Sequence, residues 1–375
     1  MAARVSRARK RLVEVSDGGA PRFGSRGTRR SAIAPEPGLS SRALREQASD
    51  LVRRLDARER AVLVATYEHK VLLTQHLKAM FFGSLRRAQD RLRHLATLGL
   101  IETWYPPQPR GMGKAPGHHT LTESGAQVVA SLLGIARSEL LYVVKDDEDR
   151  GQDSYLAHRI GVNEFFCGLI EAGSVTDGHG LARWVPERTV RTADGWIRPD
   201  GYGIFLHPVG TLDFYLEYDR GTETTRQLAN KLAGCIGVAR DWTEPGAEHF
   251  PCVLIVVPNH RREHVVVAAF AAAIARFKRA DSFAGLPFYV ANEEMLSQLG
   301  VLGRVWAPLP ELDRRLSITE LPAKEGLDYD LSDCIGRCFT EDGSARLMPL
   351  ACRPHFPVGK PPSAEEEPPD EGVVA

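Results

Sequence analysis

Apolar residues recur at helical spacing through the first third of the chain and predict a run of short helices. The stretch "LDARERAVLVATYEHK", residues 55–70, predicts the first of them. "VLLTQHLKAMFFG" predicts a shorter helix over residues 74–81, with Thr74 as its N-cap, and Gly83 provides a turn. "SLRRAQDRLRHLATLG" predicts a third helix that Ser84 caps. Its buried stripe is expected to comprise Leu85, Ala88, Leu92 and Leu95.

The polar side of this third helix is basic, which indicates a nucleic-acid partner. Two β-rich stretches follow, "LIETWY" and "HHTLT", and a loop rich in Pro and Gly joins them. Helix, helix, turn, helix and hairpin is the order of a winged helix-turn-helix, which places one helix in the major groove and its wing on the DNA backbone or minor groove. The alternative is a winged helix that docks a protein. The candidate DNA-binding residues are Ser84, Arg86, Arg87, Arg91, Arg93, Arg110 and Lys114. At the wing, His118 and His119 are expected to contact phosphate or to be exposed.

The second block of the chain alternates helical and β-rich stretches. "SYLAHRIGVNEFFCGLIEAG" predicts an amphipathic helix, and "LARWVPERTV", "WIRPDGYGIFL" and "TLDFYLEYD" predict three strands. "TETTRQLANKLAGCIGVARDW" predicts another helix, and the almost wholly apolar "FPCVLIVVPN" a buried central strand. This order resembles the core of the PD-(D/E)xK nuclease superfamily. The predicted fold class is therefore α+β or α/β, with an N-terminal winged helix-turn-helix followed by a restriction-endonuclease-like αβββαβ domain.

Three carboxylates mark the ends of these strands. Asp200 opens the second strand, and Glu217 and Asp219 close the third on one face, because side chains alternate along a strand. In the nuclease superfamily such carboxylates hold one or two divalent cations against a phosphodiester, and a lysine two residues after the second acid assists. Position 219 holds Asp where that pattern has Lys. The nearest replacement is Lys231 on the next helix, with Gln227 one turn before it on the same face.

The candidate site follows from these residues. Its candidate catalytic residues are Asp200, Glu217, Asp219, Lys231 and Gln227, and the candidate ligands for Mg²⁺ or Mn²⁺ are Asp200, Glu217 and Asp219. Glu187, at the end of the first strand, is a further carboxylate that could join them. In the structural alternative, the carboxylates cap strands or pair with Arg198, Arg220 and Arg226.

Length and charge limit the remaining choices. The chain has 375 residues and a formal net charge of zero, so nucleic-acid binding requires a local basic surface. With no signal peptide, no long apolar run and six scattered cysteines, the sequence predicts a cytoplasmic protein without a membrane partner. The predicted divisions are a disordered basic tail at 1–39, the winged helix at 40–150, the nuclease-like domain at 151–310, an extension at 311–355 and a disordered acidic tail at 356–375.

Several short motifs resemble those of the replication-relaxation family of plasmid and mobile-element proteins. They are "LTESGA" at residues 121–126, the pair His158 and Arg159, "RPDG" and "LEYDRGTE", and the resemblance covers roughly residues 55–260. It implies a DNA-associated role in replication, relaxation or transfer, with duplex DNA as the partner and a homodimer or replication and transfer proteins as further partners. It leaves catalysis open.

Two other functions remain as alternatives. One is an active Mg²⁺-dependent DNA nickase or endonuclease, and the other is a winged-helix transcriptional regulator whose second domain dimerises. Because Asp219 replaces the expected Lys, we expect a degenerate site and a protein that is non-enzymatic or cuts weakly. Zinc is not expected at Cys334, Cys338, Cys352 and His355, since the C-x3-C spacing is unusual for a zinc site.

Overall fold

The computed structural model describes residues 41–106, 111, 115–144, 155–190, 197–241, 250–277, 285–326, 329–337 and 339. This part of the chain is a mixed α+β protein with two sheets, which confirms the predicted class. The helices are α1 Ser41–Arg54, α2 Ala57–His69, α3 Thr74–Phe81, α4 Leu85–Thr97, α5 Glu123–Leu133, α6 Leu156–Val175, α7 Thr225–Asp241, α8 His260–Ile274 and α9 Glu293–Leu299. The strands are β1 Leu72–Leu73, β2 Ile101–Trp104, β3 His118–Leu121, β4 Gly180–Pro186, β5 Gly201–His207, β6 Gly210–Tyr218, β7 Cys252–Val257, β8 Phe288–Asn292 and β9 Ala307–Pro308. In these ranges, no helix has the length and apolar character needed to cross a membrane.

The first unit comprises α1 to α5 and β1 to β3. Side chains close in sequence cap the starts of two of its helices. Asp56 accepts a hydrogen bond from the backbone N of Glu59 at 2.8 Å, and the Glu59 carboxylate accepts from the Asp56 N at 3.1 Å, so a capping box starts α2. Ser84 caps α4 by accepting from the backbone N of Arg87 at 3.3 Å. Strand β3 pairs antiparallel with both β1 and β2, which gives the sheet order β1-β3-β2.

Three local predictions for this unit are wrong. Thr74 begins α3 rather than capping it, and its hydroxyl lies 2.9 Å from Nε2 of His119. Leu85 is 44% exposed, because it is the first residue of α4 and the packed stripe begins one turn later, at Ala88. His118 and His119 are buried rather than exposed, since β3 is the central strand of its sheet. The predicted wing residues Arg110 and Lys114 lie outside the described residues.

The second unit follows the predicted order of helix, three strands, helix and strand. Its sheet has the order β4-β5-β6-β7-β8-β9, in which β4 to β6 are antiparallel and β6 to β8 are parallel. Helix α6 packs its apolar side on one face together with Phe214 and Leu254. Helices α7 and α8 cover the opposite face and pack with Tyr215 and Ile255. The alternation along β6 and β7 thus divides the sheet between two apolar layers.

The two units share one hydrophobic core. Buried side chains of α2 to α5 belong to the same apolar cluster as those of α6 and β4 to β7. The ring of His69, at the end of α2, stacks on the fully buried Trp184 of β4 with centroids 3.7 Å apart. Asn163 of α6 donates to the carbonyl of Val71 at 2.8 Å. The core therefore crosses the expected domain division near residue 150.

Candidate functional site

Three carboxylates lie side by side at one end of β4, β5 and β6. The pairing of Pro186 with Gly201 and of Gly201 with Leu216 sets the register, so Glu187, Asp200 and Glu217 follow each other across the strand ends. The backbone N of Asp200 donates to the carbonyl of Leu216 at 2.9 Å and continues the ladder to this point. We call Glu187, Asp200 and Glu217 the carboxylate edge.

Asp200 is held in place by two donors. Its Oδ2 accepts from the backbone N of Tyr218 at 2.7 Å, and its Oδ1 lies 3.0 Å from Nε2 of His158 at the start of α6. The carboxylate is 9% exposed. A buried carboxylate with a backbone donor and an imidazole partner has its orientation fixed by hydrogen bonds. His158 is thereby brought to the site, where the sequence had indicated it only as part of a family motif.

Glu217 of the carboxylate edge forms an ion pair with Lys231. The ammonium of Lys231 reaches back from α7 to lie 3.3 Å from Oε2 of Glu217 and 2.9 Å from Oε1 of Glu223. Burial raises the pKa of Glu217, and the neighbouring Asp200 raises it further, to about 8, against the opposing effect of Lys231. Burial lowers the pKa of Lys231, but the carboxylates around it outweigh burial and the pKa is raised. The pair therefore holds a fixed cation beside a carboxyl group that takes up a proton readily.

Asp219 is engaged by a different helix. Its Oδ2 accepts from Nε of Arg262 at 2.6 Å, and its Oδ1 accepts from the backbone N of Gly221 at 2.8 Å. Arg262 also donates to the carbonyl of Glu223 at 2.7 Å, which ties α8 to the loop before α7. Arg262 is missing from the predicted site because nothing in the sequence connects it with a residue 43 positions earlier. Neither Arg198, Arg220 nor Arg226 makes this pair.

Gln227 has a capping role. Its Oε1 accepts from the backbone N of Thr224 at 2.8 Å and from the Thr224 hydroxyl at 2.7 Å. Thr224 Oγ1 in turn accepts from the backbone N of Gln227 at 3.3 Å. These reciprocal bonds start α7 and so position Lys231 one turn later.

The oxygen atoms of the carboxylate edge suit a hard cation such as Mg²⁺ only in part. Carboxylate oxygens are what Mg²⁺ and Mn²⁺ prefer, and Mg²⁺ is usually bound by one or two carboxylates plus substrate phosphates. Among the described residues, however, no three His, Cys, Asp or Glu side chains are grouped as a metal site. Both oxygens of Asp219 are engaged by Arg262 and Gly221. Both oxygens of Asp200 are likewise engaged, by the backbone N of Tyr218 and by His158, so the metal prediction for Asp200, Glu217 and Asp219 stays a prediction. Of the four residues at which zinc is not expected, Cys334 is buried, and Cys338, Cys352 and His355 lie outside the described residues.

The first turn of α4 presents a basic surface to solvent. Arg86 and Arg87 are exposed, and no ion pair among the described side chains involves them. Arg91 instead lies 3.3 Å from Glu59. Arg93 pairs with Asp90 at 2.8 Å. Ser84 caps the N-terminus of α4 by accepting a hydrogen bond from the backbone N of Arg87. Of the predicted DNA-binding residues on α4, Arg86 and Arg87 thus offer charge to a partner, while Arg91 and Arg93 already have carboxylate partners.

Comparison with known proteins gives one family. The sequence model of the family described as Replication-relaxation matches residues 63–252, just over half of the chain. Among solved structures, the chain is similar to one titled "Structure of restriction endonuclease FokI bound to DNA", with 12% identity, a TM-score of 0.22, and 69% of this chain and 44% of that chain covered. The chain thus spans less than half of that protein, and so low a TM-score supports no conclusion about a shared fold. No curated protein matches the chain in sequence.

Proposed function

The chain belongs to the replication-relaxation family, and on that premise we propose that it binds duplex DNA through α4 and acts in plasmid or mobile-element replication, relaxation or transfer. The observation that carries the proposal is the exposed first turn of α4, with Arg86 and Arg87 turned to solvent. In helix-turn-helix proteins the N-terminal residues of the second motif helix contact base edges in the major groove. Leu85 in the same turn is 44% exposed and offers an apolar contact of the kind that thymine methyl groups accept.

The carboxylate edge acts in this proposal as a nuclease-like site without efficient cutting. In this proposal Asp200 and Glu217 correspond to the two nuclease carboxylates, and the cation is Lys231, which pairs with Glu217 from α7. Asp219, at the position of the superfamily lysine, pairs with Arg262, so this position supplies no cation to the carboxylate edge. Lys231 pairs with both Glu217 and Glu223, so these carboxylates already compensate most of the positive charge that would stabilise a phosphodiester. Loss of one positioned charge-stabilising group costs about 10²–10³ in rate.

Charge reversal on α4 tests DNA binding. We expect Arg86→Glu/Arg87→Glu in the full-length protein to weaken duplex binding by about tenfold or more and to reduce the log–log salt slope by about two, since two phosphate or base contacts are lost. Fluorescence anisotropy with a labelled duplex at several salt concentrations measures both. The control Arg304→Glu/Arg314→Glu changes the net charge equally on exposed arginines of the second unit. If both variants bind like the wild type, α4 is a protein dock and not a DNA-reading helix.

A plasmid assay separates this proposal from the nickase alternative. We expect purified protein to leave supercoiled plasmid intact with Mg²⁺ or Mn²⁺. Position 219 holds Asp instead of the superfamily lysine, and Lys231 is already paired with Glu217 and Glu223. The assay compares the wild type with Asp200→Ala and Lys231→Ala, and agarose gels resolve nicked from supercoiled DNA. Robust nicking by the wild type that both substitutions abolish would make the protein a metal-dependent endonuclease.

A further inference from the structure

Two histidines lie one turn apart at the start of α8. His260 is the first residue of the helix and His264 follows four positions later, so their side chains share one face. Both residues are exposed, and 61% of the His260 side chain is accessible to solvent. The two Nε2 atoms are 3.3 Å apart, and the ring centroids are 4.8 Å apart. Two imidazole nitrogens are thus brought together on the outside of the helix.

The separation of these two nitrogens matches the ligand spacing around a zinc ion. Zinc–nitrogen bonds of about 2.0–2.1 Å at the tetrahedral angle place two ligand nitrogens about 3.3–3.4 Å apart. Bonds of that length at a right angle, as in octahedral or square-planar sites, would place them about 2.9 Å apart. Imidazole nitrogen also suits zinc, whereas Mg²⁺ prefers oxygen. The geometry and the donor atoms therefore both favour zinc.

A buried carboxylate fixes the ring of His260. Its Nδ1 donates to Oε2 of Glu263 at 2.7 Å, and the Glu263 side chain is fully buried. Arg315 donates to both oxygens of that carboxylate at 2.8 Å, and Asn292 donates to Oε1 at 3.0 Å. With its proton on Nδ1, His260 keeps a lone pair on Nε2, the atom that faces His264. Histidine ligands of metal sites almost always have such an outer partner, which sets the tautomer and the ring orientation.

The spacing H-x-x-E-H at residues 260–264 is itself that of a class of zinc-binding helix. In zinc peptidases that bind the metal through two such histidines, the intervening glutamate acts as a general base. Glu263 cannot act in this way, because it is fully buried and its oxygens are occupied by Arg315 and Asn292. Among the described residues, no third His, Cys, Asp or Glu side chain completes a metal cluster. The arrangement therefore suits metal binding and not peptide hydrolysis.

We propose that His260 and His264 form a binding site for a zinc ion, with water in the remaining coordination positions. Glu263 is the positioning residue of this site, since it contacts His260 and not the metal. The site takes no residue from the carboxylate edge and does not depend on DNA binding. Bound zinc links the first two turns of α8, from which Arg262 reaches Asp219 at 2.6 Å.

Isothermal titration of the metal-free, full-length protein with zinc chloride tests the site. We expect the wild type to bind one zinc equivalent that His264→Gln lacks, because losing a ligand should cost at least the roughly 10–100-fold in affinity that losing an outer partner costs. His260→Gln repeats the test at the other ligand. The control His94→Gln removes an exposed histidine of α4 and should bind zinc like the wild type. An excess of Mg²⁺ should leave the zinc in place, since Mg²⁺ prefers oxygen ligands.

Thermal unfolding gives a second measurement of the same site. Saturating zinc should raise the unfolding temperature of the wild type and of His94→Gln more than that of His264→Gln, because a ligand of the folded state stabilises it. Far-ultraviolet circular dichroism without zinc checks that all four proteins are folded. Equal zinc binding by the four proteins, or displacement of the zinc by Mg²⁺, would place the ion elsewhere in the chain and overturn the site. A wild type without saturable zinc binding would overturn it as well.

Discussion

Glu263→Ala should destabilise the protein by about 3–5 kcal/mol, the usual cost of removing one partner of a buried ion pair. Glu263, in the first turn of α8, is fully buried and accepts two hydrogen bonds from Arg315 at 2.8 Å each. Asn292 donates to it at 3.0 Å, and His260 lies 2.7 Å from it. Burial alone would raise the pKa of Glu263, and these hydrogen bonds outweigh burial, so its pKa is lowered. Without the carboxylate, Arg315 is left largely buried with an uncompensated charge.

Urea unfolding at neutral pH measures this loss. A double-mutant cycle with Arg315→Ala isolates the pair, and the double variant should be less destabilised than the sum of the single variants. The control Glu311→Ala removes an exposed carboxylate that has no ion pair among the described side chains, and it should change stability little. If Glu263→Ala costs less than about 1 kcal/mol, the pair does not hold α8 in place.

Acid should destabilise the first unit through His119. Burial lowers the pKa of His119, and His118 lowers it further, to about 4, against about 6.5 in an unfolded chain. Between these values the unfolded chain binds the proton and the folded chain does not, so the free energy of unfolding falls as the pH drops from about 6.5 toward 4. The full difference corresponds to about 3 kcal/mol.

His119→Gln tests this pH dependence, because an amide can still bond to the hydroxyls of Thr74 and Thr103, which lie 2.9 and 3.0 Å from the imidazole. Urea midpoints at pH 7.5 and pH 4.5 should show a smaller acid loss in this variant than in the wild type. His264→Gln, at an exposed histidine of α8, should keep the acid loss of the wild type. The same loss in all three proteins would mean that other groups cause the acid sensitivity.

The fold is largely predictable from the sequence because its signals are local. The stripe from Ala88 to Leu95 and the cap at Ser84 define α4, and the apolar stretch from Cys252 to Val257 defines the central strand β7. Helix α1 is not among the predicted elements, although Ala48 and Leu51 repeat with helical spacing and pack in the core. Leu85 is exposed because it is the first residue of α4. The periodic pattern of apolar residues does not fix the exact residue at which a helix begins.

Only those contacts of the site that follow from the pairing of adjacent strands are predictable from the sequence. Asp200 and Glu217 become neighbours because a short turn joins β5 to β6, so their approach follows from sequence. The partner of Asp219 depends on how α8 packs against α7, which is a long-range contact that no local pattern contains.

The shared core has a consequence for how this chain comes apart. Residues of α2 to α5 and of α6 to β7 belong to one apolar cluster, and His69 stacks on Trp184 across the junction. Elements that bury each other's surface open together, so urea should melt both halves in a single cooperative transition. A cut between residues 145 and 154 would then leave the two halves associated, because separating them would expose the apolar surface that each buries against the other.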